Sequence, residues 1–325
     1  LDPEQAKSRI VDQAVPGVRP VRPLKFAAVL LGALVGLVLG VLGALIVKRL
    51  NNTVKTAEDV ELKLRQPLLG GIPILAGEMK ASAARAVLDY PHDQYAEAIR
   101  TISTGVLLSS LDTLKKVIAV TSSVPGEGKS TFAMNLAFSQ ANVKKVLLIE
   151  ADMRRPSFAR RWKLNVSDQK GLSELAAGTA TFEDCLLQVN GTELHVIMSG
   201  RIPPNPLDLL VSQRFADTLQ MLREKYDLII VDCPPVQLVS DALVVGSLST
   251  GMIYVVKADD TPIPLAKAGL ARIQGANIPF FGIVLNHHDF VKAERYYGEY
   301  SGYGKFANYG QYGKPYVPQA EGRNA

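Results

Sequence analysis

The sequence predicts an α/β fold: a mainly parallel sheet flanked by helices, preceded by one transmembrane helix. Three observations carry this. VIAVTSSVPGEGKST (residues 117–131) reads as an apolar strand, a glycine-containing loop and the opening of an amphipathic run, FAMNLAFSQA. Beyond it, apolar strand-like runs at 146–152, 194–200, 226–234, 251–258 and 280–286 alternate with helical runs such as 207–225 and 264–275. Strands apolar on both faces and separated by helices belong to a buried parallel sheet. Finally, residues 26–47 contain no charge and end at Lys48-Arg49. As a helix they cover about 33 Å, enough to cross the hydrocarbon core of a bilayer.

The elements follow in order. The sequence starts at Leu1 rather than Met, as a piece of a longer polypeptide would, and residues 1–25 carry Pro16, Pro20 and Pro23, which favour an extended approach segment. Within the apolar helix, Gly32, Gly36 and Gly40 share a face that would admit a second helix, although glycine is common in such helices in any case. Basic residues on the two sides balance, so the charges do not orient it. A nucleotide site beyond residue 48 does, because ATP is cytosolic. Thr56 and Asp59 form an N-cap pattern for a short helix ending at Pro67. LLGGIPIL and the polar stretch after it read as linker, and from Tyr95 a helix leads into the first strand. The expected divisions are an approach segment (1–25), a transmembrane helix (26–47), a juxtamembrane linker (48–89), an ATP-binding domain (90–290) and a flexible tail (291–325).

Composition narrows the function. The chain is 47% hydrophobic and 21% charged, with net charge +5 and pI about 9.0. Its basic residues are scattered without interleaved aromatics, which argues against nucleic acid as a partner. The two cysteines, Cys185 and Cys233, are far apart and read as reduced and buried, placing the main domain in the cytoplasm.

The chemistry centres on the loop of residues 125–131, Pro125, Gly126, Glu127, Gly128, Lys129, Ser130 and Thr131. Backbone N–H groups at the head of the following helix converge on one point, at the positive end of its dipole, and there bind phosphate. Lys129 supplies a cation for the outer phosphates of ATP or GTP, and the Ser130 hydroxyl ligates Mg²⁺. Ser123 stands where the usual pattern has its first glycine. Asp232 ends the run LIIVD, a position suited to a metal-holding carboxylate. Glu150 and Asp152 end another strand-like run, and residues two apart on a strand share a face, so both are expected at one metal and nucleophile site. Arg154 and Arg155 follow and would offset phosphate charge; the alternative is a surface ion-pair cluster. Asn286, at the end of GIVLN, is a candidate for reading the adenine edge, or a turn former. His287 and His288 read as solvent-facing loop residues, not metal ligands. Residues 296–316 hold seven of the eleven tyrosines, Tyr296, Tyr297, Tyr300, Tyr303, Tyr309, Tyr312 and Tyr316, with no apolar period. Such a segment builds no core; beside an ATP and Mg²⁺ site it suggests a phosphate acceptor, or else a sticky low-complexity tail.

Together, PLLGGIPIL, SSVPGEGKST, EADMRRP, SGRIPPNPLDLL (199–210), IIVDCPPV and the tyrosine cluster resemble the bacterial tyrosine kinases, cytoplasmic parts of the polysaccharide co-polymerases. The resemblance implies a P-loop kinase on the bacterial inner membrane that autophosphorylates and regulates capsule or exopolysaccharide chain length and export. It implies that Lys129 and the loop amides hold the β- and γ-phosphates, that Ser130 and Asp232 hold Mg²⁺ with help from Asp152, and that tail tyrosines enter a neighbouring subunit's site. It further implies a ring of about eight subunits, a polysaccharide polymerase and an outer-membrane export channel as partners, and a tyrosine phosphatase. Partition-type relatives of the fold carry a lysine where this chain has Val124. Two departures stand out. Glu150 occupies a place usually held by Asp, and the E-x-x-R-x-x-R oligomer motif reads Glu97, Arg100, Ser103. The competing reading is a co-polymerase scaffold in which ATP drives oligomerisation without phosphorylating tyrosine.

Overall fold

A computed structural model describes residues 25–50, 52–108, 116–164, 168–189 and 191–297. The chain divides into two compact units, 1–52 and 53–325. In the first, a single helix, α1 (Lys25–Leu50), contains an apolar window, Phe26–Gly43, of mean hydropathy 2.6 with none of its residues buried. Its length and composition suit a membrane crossing. The approach segment before it lies outside the described residues.

The second unit is an eight-stranded sheet between two layers of helices. Its strands are β1 (Leu68–Pro73), β2 (Lys116–Ser122), β3 (Val146–Glu150), β4 (Leu186–Gln188), β5 (His195–Ile197), β6 (Leu228–Asp232), β7 (Gly251–Lys257) and β8 (Phe280–His288). They lie in the order β1-β8-β7-β2-β6-β3-β5-β4, and only β4 runs antiparallel to its neighbour. The helices are α2 (Ala86–Asp89), α3 (Gln94–Leu108), α4 (Lys129–Ala141), α5 (Phe158–Trp162), α6 (Leu172–Ala177), α7 (Phe182–Cys185), α8 (Pro206–Leu210), α9 (Gln213–Lys225), α10 (Asp241–Ser247), α11 (Ile263–Gly275) and α12 (Phe290–Tyr297).

The apolar strands divide their side chains between two cores, as the two-residue period requires. Leu147, Ile149, Ile229 and Val231 join Phe215, Leu219 and Ile273 from α9 and α11 on one face. On the other, Ile118, Val120, Leu148 and Ile230 meet Ile99 and Ile102 of α3 and Phe132 and Leu136 of α4. With both faces covered and β2 in the middle, the loop after β2 opens at the carboxyl edge, where such sheets hold ligands.

Two expectations need correction. LLGGIP is not linker: it is β1, an edge strand paired parallel to β8 through Leu68↔Ile283, Gly70↔Val284 and Gly71↔Leu285. A side chain at Gly70 would meet Ile102 Cγ1 at 2.8 Å, so glycine is what lets α3 close onto this edge. Ahead of β1, Thr56 and Asp59 exchange cap hydrogen bonds as the sequence suggests, but the turn that follows, Asp59–Leu64, is a π-helix. Thr53 pairs with Pro262, so the folded unit begins there. His288 is also no loop residue; it ends β8, is 5% exposed and packs its ring on Phe290 at 4.5 Å.

Candidate active site

The site is built by the loop joining β2 to α4. Gly126 and Gly128 take φ of 93° and 94°, in the left-handed region, so the loop can turn back over the head of α4. A side chain on Gly128 would meet Asn286 Nδ2 at 2.0 Å. That amide donates to the Glu127 carbonyl at 2.8 Å, so Asn286 spends one of its two N–H groups on the loop. Glu127, expected to line the cradle, is 2% exposed and braces the loop from within. Its carboxylate accepts from Val124 N at 2.8 Å and takes the hydroxyl of Thr261. Burial pushes its pKa up, and these hydrogen bonds oppose that.

At the head of α4, Lys129 is 8% exposed, and Nζ lies 2.9 Å from Asp152 Oδ2 and 3.4 Å from Asp232 Oδ1. Ser130 Oγ accepts from the same ammonium at 3.3 Å. Desolvation alone would lower the Lys129 pKa, but Asp232 and Asp152 outweigh it and hold the group charged. Asp232, fully buried at the end of β6, has its pKa raised by burial, with Lys129 and Ser130 opposing. The ammonium thus occupies the centre of an oxygen cluster that has one charge more than it neutralises. Ser130, Asp152 and Asp232 are hard oxygen donors few in number, a set that fits Mg²⁺ sharing its shell with phosphates and water.

Two expected roles, those of Glu150 and Arg154, meet a different geometry. Glu150 does not join Asp152: β3 ends at Glu150, and Asp152 lies beyond the strand, just before the turn at Met153. Its carboxylate, 1% exposed, instead accepts from Ser157 N at 2.5 Å, Phe158 N at 2.8 Å and Ser199 N at 3.2 Å. Arg154 is held by Asp241 through Nε at 2.8 Å and Nη2 at 3.1 Å, which raises its pKa and directs the guanidinium to the start of α10. Glu97 and Arg100 pair with each other within α3 at 3.1 Å, and Arg100 also donates to the Pro91 carbonyl. Tyr300, Tyr303, Tyr309, Tyr312 and Tyr316 lie outside the described residues, as do the side chains of Tyr296 and Tyr297.

Sequence reading missed Asp241, Thr261 and Arg161. Asp241 is fully buried beside Arg154, and Arg161 Nη1 donates to Thr131 Oγ1 at 3.0 Å. The density of basic residues in RRPSFARRWK was the signal for Arg161; nothing in the sequence around Asp241 or Thr261 marked them.

A family model described as an AAA domain matches residues 115–273. The tyrosine-protein kinase YwqD of Bacillus subtilis (strain 168) is 33% identical over 208 residues, spanning 63% of this chain and 86% of YwqD. The chain belongs to the bacterial tyrosine kinases. Within this family of kinases, Etk of Escherichia coli (strain K12) is 29% identical over 298 residues, covering 86% of this chain and 40% of Etk. The solved kinase domain of Etk matches with a TM-score of 0.66 at 28% identity, covering 72% of this chain and 95% of that domain. The chain spans less than half the length of Etk, and 43% of EpsB of Ralstonia solanacearum.

Proposed function

We propose that this chain is the membrane-anchored cytoplasmic kinase of a polysaccharide co-polymerase, transferring the γ-phosphate of ATP to tail tyrosines of a neighbouring subunit. The observation that carries it is Lys129 seated between Asp152 and Asp232 at the head of α4. A polyphosphate entering under the loop amides offers the ammonium a third anionic partner. Ser130 and Asp232, with Asp152, would hold Mg²⁺, whose bound charge neutralises the phosphates.

The chain's own part is positioning and charge. Loop amides and Lys129 hold the β- and γ-phosphates, and the buried walls keep water from competing. A free phenol has a pKa of about 10, so an incoming tyrosine needs a base. Asp152 is the carboxylate with a remaining exposed edge, at 6%. It takes the phenol proton as the phenol oxygen bonds to the γ-phosphorus and the bond to the β-phosphate oxygen breaks, releasing ADP. Phosphates accumulating on the tail add about two negative charges each and would repel it from its neighbours. We assign the kinase domain to the cytoplasm, α1 to the inner membrane, and the polysaccharide polymerase, export channel and a tyrosine phosphatase as pathway partners. Glu97, exposed on α3, and the half-buried Arg100 remain the surface offered to an adjacent subunit of the ring.

Incubating the detergent-solubilised chain with labelled ATP and Mg²⁺ tests this. Label is expected on tail peptides and is lost in Lys129→Met and when the seven tail tyrosines become Phe. ATP-dependent assembly with an unlabelled tail would instead make the protein a scaffold.

A further inference from the structure

We propose that Arg161 is a second phosphate-contacting cation of the nucleotide site, reaching the phosphate chain beside Thr131; this rests on the nucleotide reading of the loop. Arg161 belongs to α5, which is packed against α4 by its aromatic side chains. Trp162 lies 5.3 Å from Phe158 and 6.0 Å from Phe138 of α4, ring centroid to ring centroid. The entry to α5 is held from the sheet by Glu150, whose carboxylate takes the amides of Ser157 and Phe158. This short helix is therefore placed by a buried acid at one end and an aromatic stack along its side.

From that base the Arg161 guanidinium extends over the first turn of α4. Nε sits 3.4 Å from Ser157 Oγ, and Nη1 donates to Thr131 Oγ1, the residue directly after Ser130. Among the described residues it forms no ion pair, whereas Arg154, seven positions earlier, has a carboxylate held in two hydrogen bonds. Arg161 is exposed at the surface; the burial its guanidinium does have lowers its pKa, and the Asp232 carboxylate opposes this. An exposed guanidinium whose partners are the neutral hydroxyls of Ser157 and Thr131, beside the first turn of α4, is suited to an oxyanion. Phosphate would replace the Thr131 hydroxyl as acceptor or share the donors with it. Arg154 cannot fill this place while Asp241 holds it. The structure thus exchanges the arginine expected from the sequence for one later in the same basic stretch.

Titrating Mg·ADP into the full chain in detergent, by calorimetry, decides the matter. Arg161→Gln is expected to weaken binding about tenfold or more, as loss of a charge-assisted contact implies, and to flatten its dependence on KCl. Arg161→Lys is expected to recover much of the affinity, while the melting temperature of each nucleotide-free variant stays at the wild-type value. Wild-type affinity in Arg161→Gln, with Lys129→Met blind to nucleotide, would overturn the assignment of Arg161 and leave the site intact. A loss matched by a fall in nucleotide-free stability and not recovered by Lys would make Arg161 structural, and so overturn it too. No binding by the wild-type chain would remove the nucleotide reading itself, and Arg161's role with it.

Discussion

At the scale of single residues, the active loop depends on one close approach. Gly128 has φ of 94°, and any Cβ there would press on Asn286 Nδ2. Gly128→Ala therefore carries two penalties, a left-handed backbone of about 1–2 kcal/mol and a clash with the amide that holds the Glu127 carbonyl. Asn286→Ala removes the clash and one buried hydrogen bond, which costs about 1 kcal/mol. The two effects share a contact and so do not add. Gly128→Ala is expected to cost less stability in the Asn286→Ala background than in the wild type, by about 1 kcal/mol in urea melts. Strictly additive costs would show that Asn286 does not set the height of the loop. Of this site, Lys129 and Asp232 were legible because the loop pattern and the end of β6 place them without knowledge of distant partners; Asp152 reaches Lys129 from just beyond the end of β3. Glu127 and Arg154 were not, since their roles are set by Thr261 and Asp241, which lie 134 and 87 positions away.

Among the elements, α5 is the piece whose position rests on one buried acid. Glu150 accepts three backbone amides, and with Ala in its place those donors would lose their acceptor inside the protein. Each unsatisfied donor costs about 1–3 kcal/mol, and relaxation keeps the sum below the total, so Glu150→Ala is expected to destabilise by about 3 kcal/mol. The chain's single tryptophan, Trp162, lies on α5 and reports its packing directly. In urea, Trp162 emission of the Ala variant should red-shift at lower denaturant than in the wild type, with Glu150→Gln between them. Coincidence of all three curves would show that α5 is held by its aromatic contacts alone. The same element shows where local reasoning stops. The rule that residues two apart share a face holds only while the strand continues, and β3 ends at Glu150. Strands β3, β6, β7 and β8 were readable because their apolar runs are buried on both faces. Strand β1 was not: its glycine pair and proline look like a connector until β8 lies alongside. The helical run 207–225 breaks in two because Ser212 caps α9, accepting from Phe215 N at 3.2 Å.

On the scale of the whole molecule, the division after residue 52 separates the helix that would hold the protein at a membrane from the unit that would perform transfer. The cut must fall there. Removing residues through 89, the boundary the sequence suggested, would strip β1 from β8 and expose a sheet edge. A chain beginning at Thr53 keeps β1 and the bridge from Thr53 to Pro262. It is therefore expected to melt within about 2 °C of the full chain, since ΔΔG near zero leaves the midpoint unmoved. Its kinetics should differ, because transfer to a neighbour's tail depends on how often two domains meet. Confinement by α1 in one bilayer would fix the local concentration whatever the volume outside, whereas a free domain meets partners in proportion to its bulk concentration. Diluting vesicles that carry the full chain should leave the labelling rate per molecule unchanged. A tenfold dilution of the Thr53 form should lower it about tenfold, in the second-order regime. A dilution-independent rate for the truncated form would mean that each tail reaches its own domain's site, and transfer between subunits would then have to be abandoned.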